Sequence, residues 1–165
     1  MLLDAGRAGA GIESTILDIC QSPPRLIRSG AVPLADIEAA LGKVETQEGA
    51  ATHYVPRARL VVVKRGDRET IRRLLSESAP AGKQVGLVTS HPQLHCRNAS
   101  LLVKAMPADL SAYAQRLFGV LRELDDEGVA CIAVEEVEEE GIGVAIMDRL
   151  RRAAEQGLPG KPPER

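Results

Sequence analysis

Apolar positions along the chain fall into two alternating patterns: short unbroken blocks, and longer stretches where every third or fourth residue is apolar. Leu60-Val61-Val62-Val63, residues 84–89, Ser100-Leu101-Leu102-Val103 and residues 130–134 are the blocks. Short β-branched and aliphatic runs of this kind predict buried strands. Between them, Asp67 stands where a helix N-cap belongs, ahead of Ile71, Leu74 and Leu75,. Leu110, Ala114, Leu117, Leu121 and Leu124 share one stripe of a predicted helix over 108–126, and a closing helix is predicted over 142–154. Buried strands alternating with amphipathic helices predict parallel βαβ units with right-handed crossovers, an α/β fold class.

The chain ahead of this alternation reads differently. Residues 12–19 form a β-rich run, Ser22-Pro23-Pro24 a turn, and Arg25-Leu26-Ile27-Arg28 a second strand,. A short helix over 33–41 carries Leu34, Ile37, Ala40 and Leu41 and stops at Gly42,. Two strands and one short helix bury too little surface to fold alone. Residues 1–43 are therefore expected to be the end of a domain whose body lies upstream. Residues 44–58 show no steady period and read as a linker. The compact unit is expected over 59–156, and the Gly/Pro-rich residues 157–165 as a disordered tail.

Composition narrows the setting. Of 165 residues, 44% are hydrophobic and 27% charged, the balance of a folded soluble protein,. Aromatic residues are only 2%, so the core is aliphatic, which suits a buried parallel sheet,. A net charge of -2 argues against a stand-alone nucleic-acid binder,. No apolar run is long enough for a membrane span, and the N-terminus shows no signal-peptide pattern. Cys20, Cys96 and Cys131 are read as reduced cytosolic thiols,.

Four groups of residues are candidates for chemistry. Gly141-Ile142-Gly143, after a strand and opening a helix, suits either a phosphate site or a tight turn,. The missing third glycine and the carboxylates of Glu135 to Glu140 favour the turn. His91, His95 and Cys96 match no common zinc spacing and read as loop residues. The run from Glu135 to Glu140 reads as a solvated turn. Ser14, Thr15 and Arg28 are the fourth group. Ser14 and Thr15 are adjacent on a strand and face opposite sides, while Arg28 presents a planar fork able to grip phosphate or carboxylate.

Taken together, these segments resemble one family. Glu13-Ser14-Thr15-Ile16-Leu17-Asp18 and Leu26-Ile27-Arg28-Ser29-Gly30-Ala31-Val32 look like the end of the YrdC-like catalytic domain of threonylcarbamoyl-AMP synthases. His53-Tyr54-Val55-Pro56 resembles the close of the linker in the two-domain form. Tyr113-Ala-Gln-Arg-Leu-Phe118 and the block from Gly141 to Ala154 resemble its C-terminal Rossmann-like domain. The resemblance implies a mostly parallel Rossmann-like sheet with flanking helices, preceded by a β-rich remnant of a YrdC-like α/β domain.

It also implies a reaction in which threonine, bicarbonate and ATP give threonylcarbamoyl-AMP and pyrophosphate, for threonylcarbamoyladenosine in tRNA. By matching motif, Ser14 would contact threonine, Arg28 would contact ATP, and His53 and Tyr54 would belong to the linker. Mg2+ would accompany ATP; no catalytic or metal-ligating residue is assigned. The expected partners are the three substrates, a YrdC-like half if the enzyme is split, and tRNA only indirectly, in the cytoplasm and without a membrane. Several family features are missing. The family's Lys-x-Arg and Ser-x-Asn nucleotide motifs have no counterpart here, Ala50 and Ala51 stand where a Lys/Arg-Tyr pair is usual, Ser29 replaces Pro, and Asp148 replaces Asn. The expectation is a C-terminal part that is inactive alone. The alternative is a non-catalytic regulatory or ligand- or partner-binding Rossmann-like domain.

Overall fold

The computed structural model describes residues 11–12, 14–46, 55–95 and 98–156. Its first elements are β1 (Ile16–Asp18), β2 (Arg25–Arg28), α1 (Leu34–Leu41) and β3 (Glu45–Thr46). They form a small sheet in the order β1-β2-β3, antiparallel between β1 and β2 and parallel between β2 and β3. The strand expected over 12–19 is shorter than its β-rich composition suggests. Thr15 is drawn into hydrogen bonds with Val32 instead of extending the ladder, and a register shift lies between Ile16 and Leu17. β3 sits inside the segment read as a featureless linker. Both of its residues are exposed, so no apolar pattern announced it.

The larger sheet contains β4 (Arg59–Val63), β5 (Val85–Thr89), β6 (Leu101–Ala105) and β7 (Cys131–Glu135). The strands are all parallel, in the order β4-β7-β5-β6. β5 and β7 lie inside the sheet and are buried at every position, which explains why they read as unbroken apolar blocks rather than alternating ones. This is the mixed α/β architecture with a parallel sheet and flanking helices that the alternation predicted.

Three helices cover the sheet: α2 (Arg68–Ser78), α3 (Leu110–Asp126) and α4 (Ile142–Gln156). Asp67 caps α2 by accepting from the Thr70 backbone N–H at 3.0 Å, as its position predicted, and Asp109 caps α3 through Ala112 at 2.7 Å,. The chain steps outward from β4 to β6 and then returns to place β7 between β4 and β5. With right-handed crossovers, such a reversal puts helices on both faces. Accordingly Ile71 and Leu74 of α2 meet Val63, Leu87 and Ala133 on one face. Leu117, Leu121 and Leu124 of α3 and Ile146, Met147 and Leu150 of α4 meet Leu60, Val88, Ile132 and Val134 on the other. Each fully buried Leu or Ile contributes about 1.5–3 kcal/mol, so these stripes dominate the stability.

The β1-β2-β3 segment leans on this second face. Ile12 is buried there and Ala31 packs beside it. Leu26 and Val44 are also buried, but much of the rest of the segment is open. α1 has no buried residue, and Ile16, Ile19, Val32 and Leu41 are exposed.

Candidate functional site

Ser14 and Arg28 come together. β1 and β2 are antiparallel neighbours, and the Arg28 Nε donates to the Ser14 carbonyl at 3.0 Å. One side of the Arg28 guanidinium is thereby fixed on the backbone of Ser14, an exposed residue. The arrangement places a serine beside a permanent cation whose planar fork can grip an anion,. Thr15 has a different job. Its hydroxyl accepts from the Val32 N–H at 3.1 Å and donates to the Val32 carbonyl at 3.2 Å, tying this segment to the loop after β2. His53 and Tyr54 lie outside the described residues.

A second polar cluster sits at the C-terminal edge of the large sheet, the usual ligand side of an open α/β fold. Glu135, the last residue of β7, was read as the start of a solvated charge run; instead it is 3% exposed. Its carboxylate accepts from the Gly66 N–H at 2.6 Å, from His95 Nε2 at 2.8 Å and from the Thr89 hydroxyl. β7 extends one residue further than the apolar block and carries Glu135 inward before the chain turns out. Burial pulls this carboxyl upward, but hydrogen bonds from Thr89, Gly66 and His95 outweigh it and hold the pKa below the ordinary value,. The remainder of the run behaves as expected, with Glu136, Glu138, Glu139 and Glu140 exposed.

His95 is thus a buried partner of Glu135 rather than a plain loop residue. Among the described residues no group of three His, Cys, Asp or Glu side chains could hold a metal ion, and Cys96 lies outside them. An open cleft of about 170 Å³ adjoins Glu135, bordered by Arg65, Ser90, His91, Leu110 and Glu138. Tyr113, buried nearby on α3, has a hydroxyl with no hydrogen-bond partner among the described residues. Burial and the charge of Glu135 both push that hydroxyl's pKa far up, so it stays neutral.

The Gly141-Ile142-Gly143 motif makes the tight turn. Gly141 has φ +54, and a Cβ on Gly143 would stand 1.9 Å from the Glu138 carbonyl oxygen. Glycine there lets α4 start hard against the acidic loop.

Two polar anchors escaped sequence reasoning. Asp125, near the end of α3, is 8% exposed. Its carboxylate accepts the backbone N–H groups of Arg57 and Ala58, each at 2.9 Å, and so fixes the entry into β4. Arg149 of α4 is 2% exposed and donates to the Ser29 carbonyl at 2.5 Å. Both residues sit in helical stretches where a charged residue reads as surface.

The family model described as "Threonylcarbamoyl-AMP synthase, C-terminal domain" matches residues 32–155. The threonylcarbamoyl-AMP synthase of Pyrococcus abyssi is 33% identical, across 93% of this chain and 48% of its own length. That of Bacillus subtilis is 31% identical over the same shares. The chain therefore spans about half the length of the curated relatives it matches. Among solved structures, P. abyssi Sua5 complexed with L-threonine superposes with a TM-score of 0.77 at 31% identity, over 93% of this chain and 49% of that one. A double variant of the same protein, with a His and a Tyr each changed to Ala, superposes with a TM-score of 0.73 at 32% identity, over 90% and 46%.

Proposed function

Because the chain belongs to the threonylcarbamoyl-AMP synthase C-terminal domain family, we propose that it is the C-terminal part of an L-threonylcarbamoyladenylate synthase. In this reading residues 1–43 end the YrdC-like catalytic domain, 44–58 are the linker, 59–156 are the Rossmann-like accessory domain and 157–165 a tail. The complete enzyme converts threonine, bicarbonate and ATP into threonylcarbamoyl-AMP and pyrophosphate, a nucleotidyl transfer that supplies tRNA threonylcarbamoyladenosine in the cytoplasm. tRNA is reached only indirectly, through the product.

The observation that carries the reading is the pairing of Ser14 with Arg28, held 3.0 Å apart between Nε and carbonyl, within the 93% of the chain that the relatives match. Ser14 presents its hydroxyl to threonine. Arg28, anchored through Nε, keeps its terminal nitrogens for an ATP phosphate, where a fixed cation offsets charge as pyrophosphate leaves. His53 and Tyr54 belong to the end of the linker. Mg2+ would accompany ATP in the complete enzyme and neutralise phosphate charge there. This chain supplies one wall of the pocket and lacks the basic nucleotide motifs, so it does not turn over alone.

The test is threonine-dependent pyrophosphate release from ATP in the presence of bicarbonate. The purified chain should give none, and adding a separately produced YrdC-like half should restore it. Robust turnover by the chain alone would refute the reading of an inactive part. The cleft at the sheet edge beside Glu135 favours a second reading, a non-catalytic domain that binds a ligand or partner,. Failure of any YrdC-like half to restore release, with tight binding to an unrelated protein, would select it. No helix among the described residues is long and apolar enough to cross a membrane.

A further inference from the structure

Arg149 belongs to α4, yet its guanidinium ends on the segment that carries Arg28. Its Nη2 donates to the carbonyl of Ser29, the residue directly after Arg28, at 2.5 Å. A guanidinium only 2% exposed is tolerated where it is paired,. Here Nη1 reaches Asp148 at 3.2 Å, and Asp148 also accepts from Arg152 Nε at 2.8 Å. The same loop is gripped from its other side, because Thr15 brackets Val32 through both its N–H and its carbonyl. Ala31 packs against the large core. Arg28 therefore ends its strand immediately before a peptide clamped by the Rossmann-like unit, and its own Nε is already committed to Ser14.

We infer that Arg149 is a positioning residue: through the Ser29 carbonyl it sets the direction of Arg28, and so couples α4 to a side chain able to grip an anion. That the anion is an ATP phosphate rests on the synthase reading; the clamp itself does not. A purely structural role would loosen the large sheet and Arg28 alike. A positioning role loosens Arg28 and leaves the sheet as it was.

The deciding readout is the Arg28 Nε–H resonance in the 15N-labelled chain, which needs no nucleotide. In Arg149→Met its exchange with solvent should rise by about tenfold, the factor that one net hydrogen bond represents. The amides of Leu87 and Ile132 should keep their protection. Unchanged Arg28 exchange would overturn the inference. If Arg149→Met loses protection throughout, Arg149→Lys decides: it keeps the charge without the fork, so Arg28 exchange should still rise, by less, over an intact sheet. Uniform loss in that variant, or no rise, would overturn the inference. In enzyme reconstituted with its YrdC-like half, Arg149→Lys should raise KM for ATP several-fold with kcat held. An unmoved KM would overturn the link to ATP. Failure to reconstitute the wild type counts against the synthase reading alone, and the resonance still judges the clamp.

Discussion

Replacing Glu135 tests whether the buried carboxylate organises the sheet edge. Its two oxygens receive three donors: the Gly66 N–H at 2.6 Å, His95 Nε2 at 2.8 Å and the Thr89 hydroxyl. Glu135→Ala strands all three. Each unmet buried donor costs about 1–3 kcal/mol, and the Thr89 hydroxyl recovers part by rotating, so the expected loss is about 3–5 kcal/mol. Glu135→Gln keeps the shape and one carbonyl acceptor, and should cost about 1–2 kcal/mol for the lost charge assistance. A solvated surface glutamate, by contrast, would change stability by only about 0.5 kcal/mol. Urea unfolding at pH 7 followed by far-UV circular dichroism separates the cases, with the midpoint moving at constant slope. A loss below about 1 kcal/mol in Glu135→Ala would refute the network. Acidity gives a second check. The folded-state pKa of Glu135 is held below the ordinary carboxyl value of 4.5, so its contribution is complete above that value and fades as pH falls through the folded pKa. The gap between wild type and Glu135→Gln should hold from pH 7 to about 5 and narrow below it.

Three further outcomes follow from single contacts. Asp125→Ala leaves the Arg57 and Ala58 N–H groups unmet; it should cost about 2–4 kcal/mol, with hydrogen exchange rising first at the start of β4. Gly143→Ala drives a methyl to 1.9 Å from the Glu138 carbonyl oxygen, so α4 must shift, and Tm should fall by about 3–10 °C in a thermal melt. Tyr113→Phe removes a buried hydroxyl that has no hydrogen-bond partner among the described residues. It should be neutral or stabilise by up to about 1 kcal/mol, and a clear loss in urea unfolding would show that the hydroxyl has a partner.

The large sheet was legible in sequence because β5 and β7, its interior strands, are buried on both faces and leave no polar position. The stripes of α3 and α4 were legible because they cover one face, and the cap of α2 because Asp67 acts on a residue only three positions away. What escaped notice depends on contacts distant in sequence. Glu135 looks like its neighbours in composition, and only the register of β7 against β4 separates it from the exposed carboxylates. Asp125 and Arg149 find their partners across 68 and 120 positions. β3 is two exposed residues whose strand character exists only because β2 lies beside them. At the candidate site, Ser14 and Arg28 were singled out by type and motif. That Arg28 would rest on the Ser14 backbone, while Thr15 served the fold, needed the antiparallel register.

The return of the chain to insert β7 between β4 and β5 has a consequence for how the protein comes into being. β4 and β5 never touch without it: residue 59 pairs with residue 131, and so does residue 85. During N-to-C synthesis β5 can pair with β6, but β4 waits without its sheet partner until most of the chain exists. Such long-range pairing is slow, and bare strand edges invite association with other chains meanwhile. A stop codon before Cys131 would leave β4 apart from the β5-β6 pair, with the strand that joins them missing.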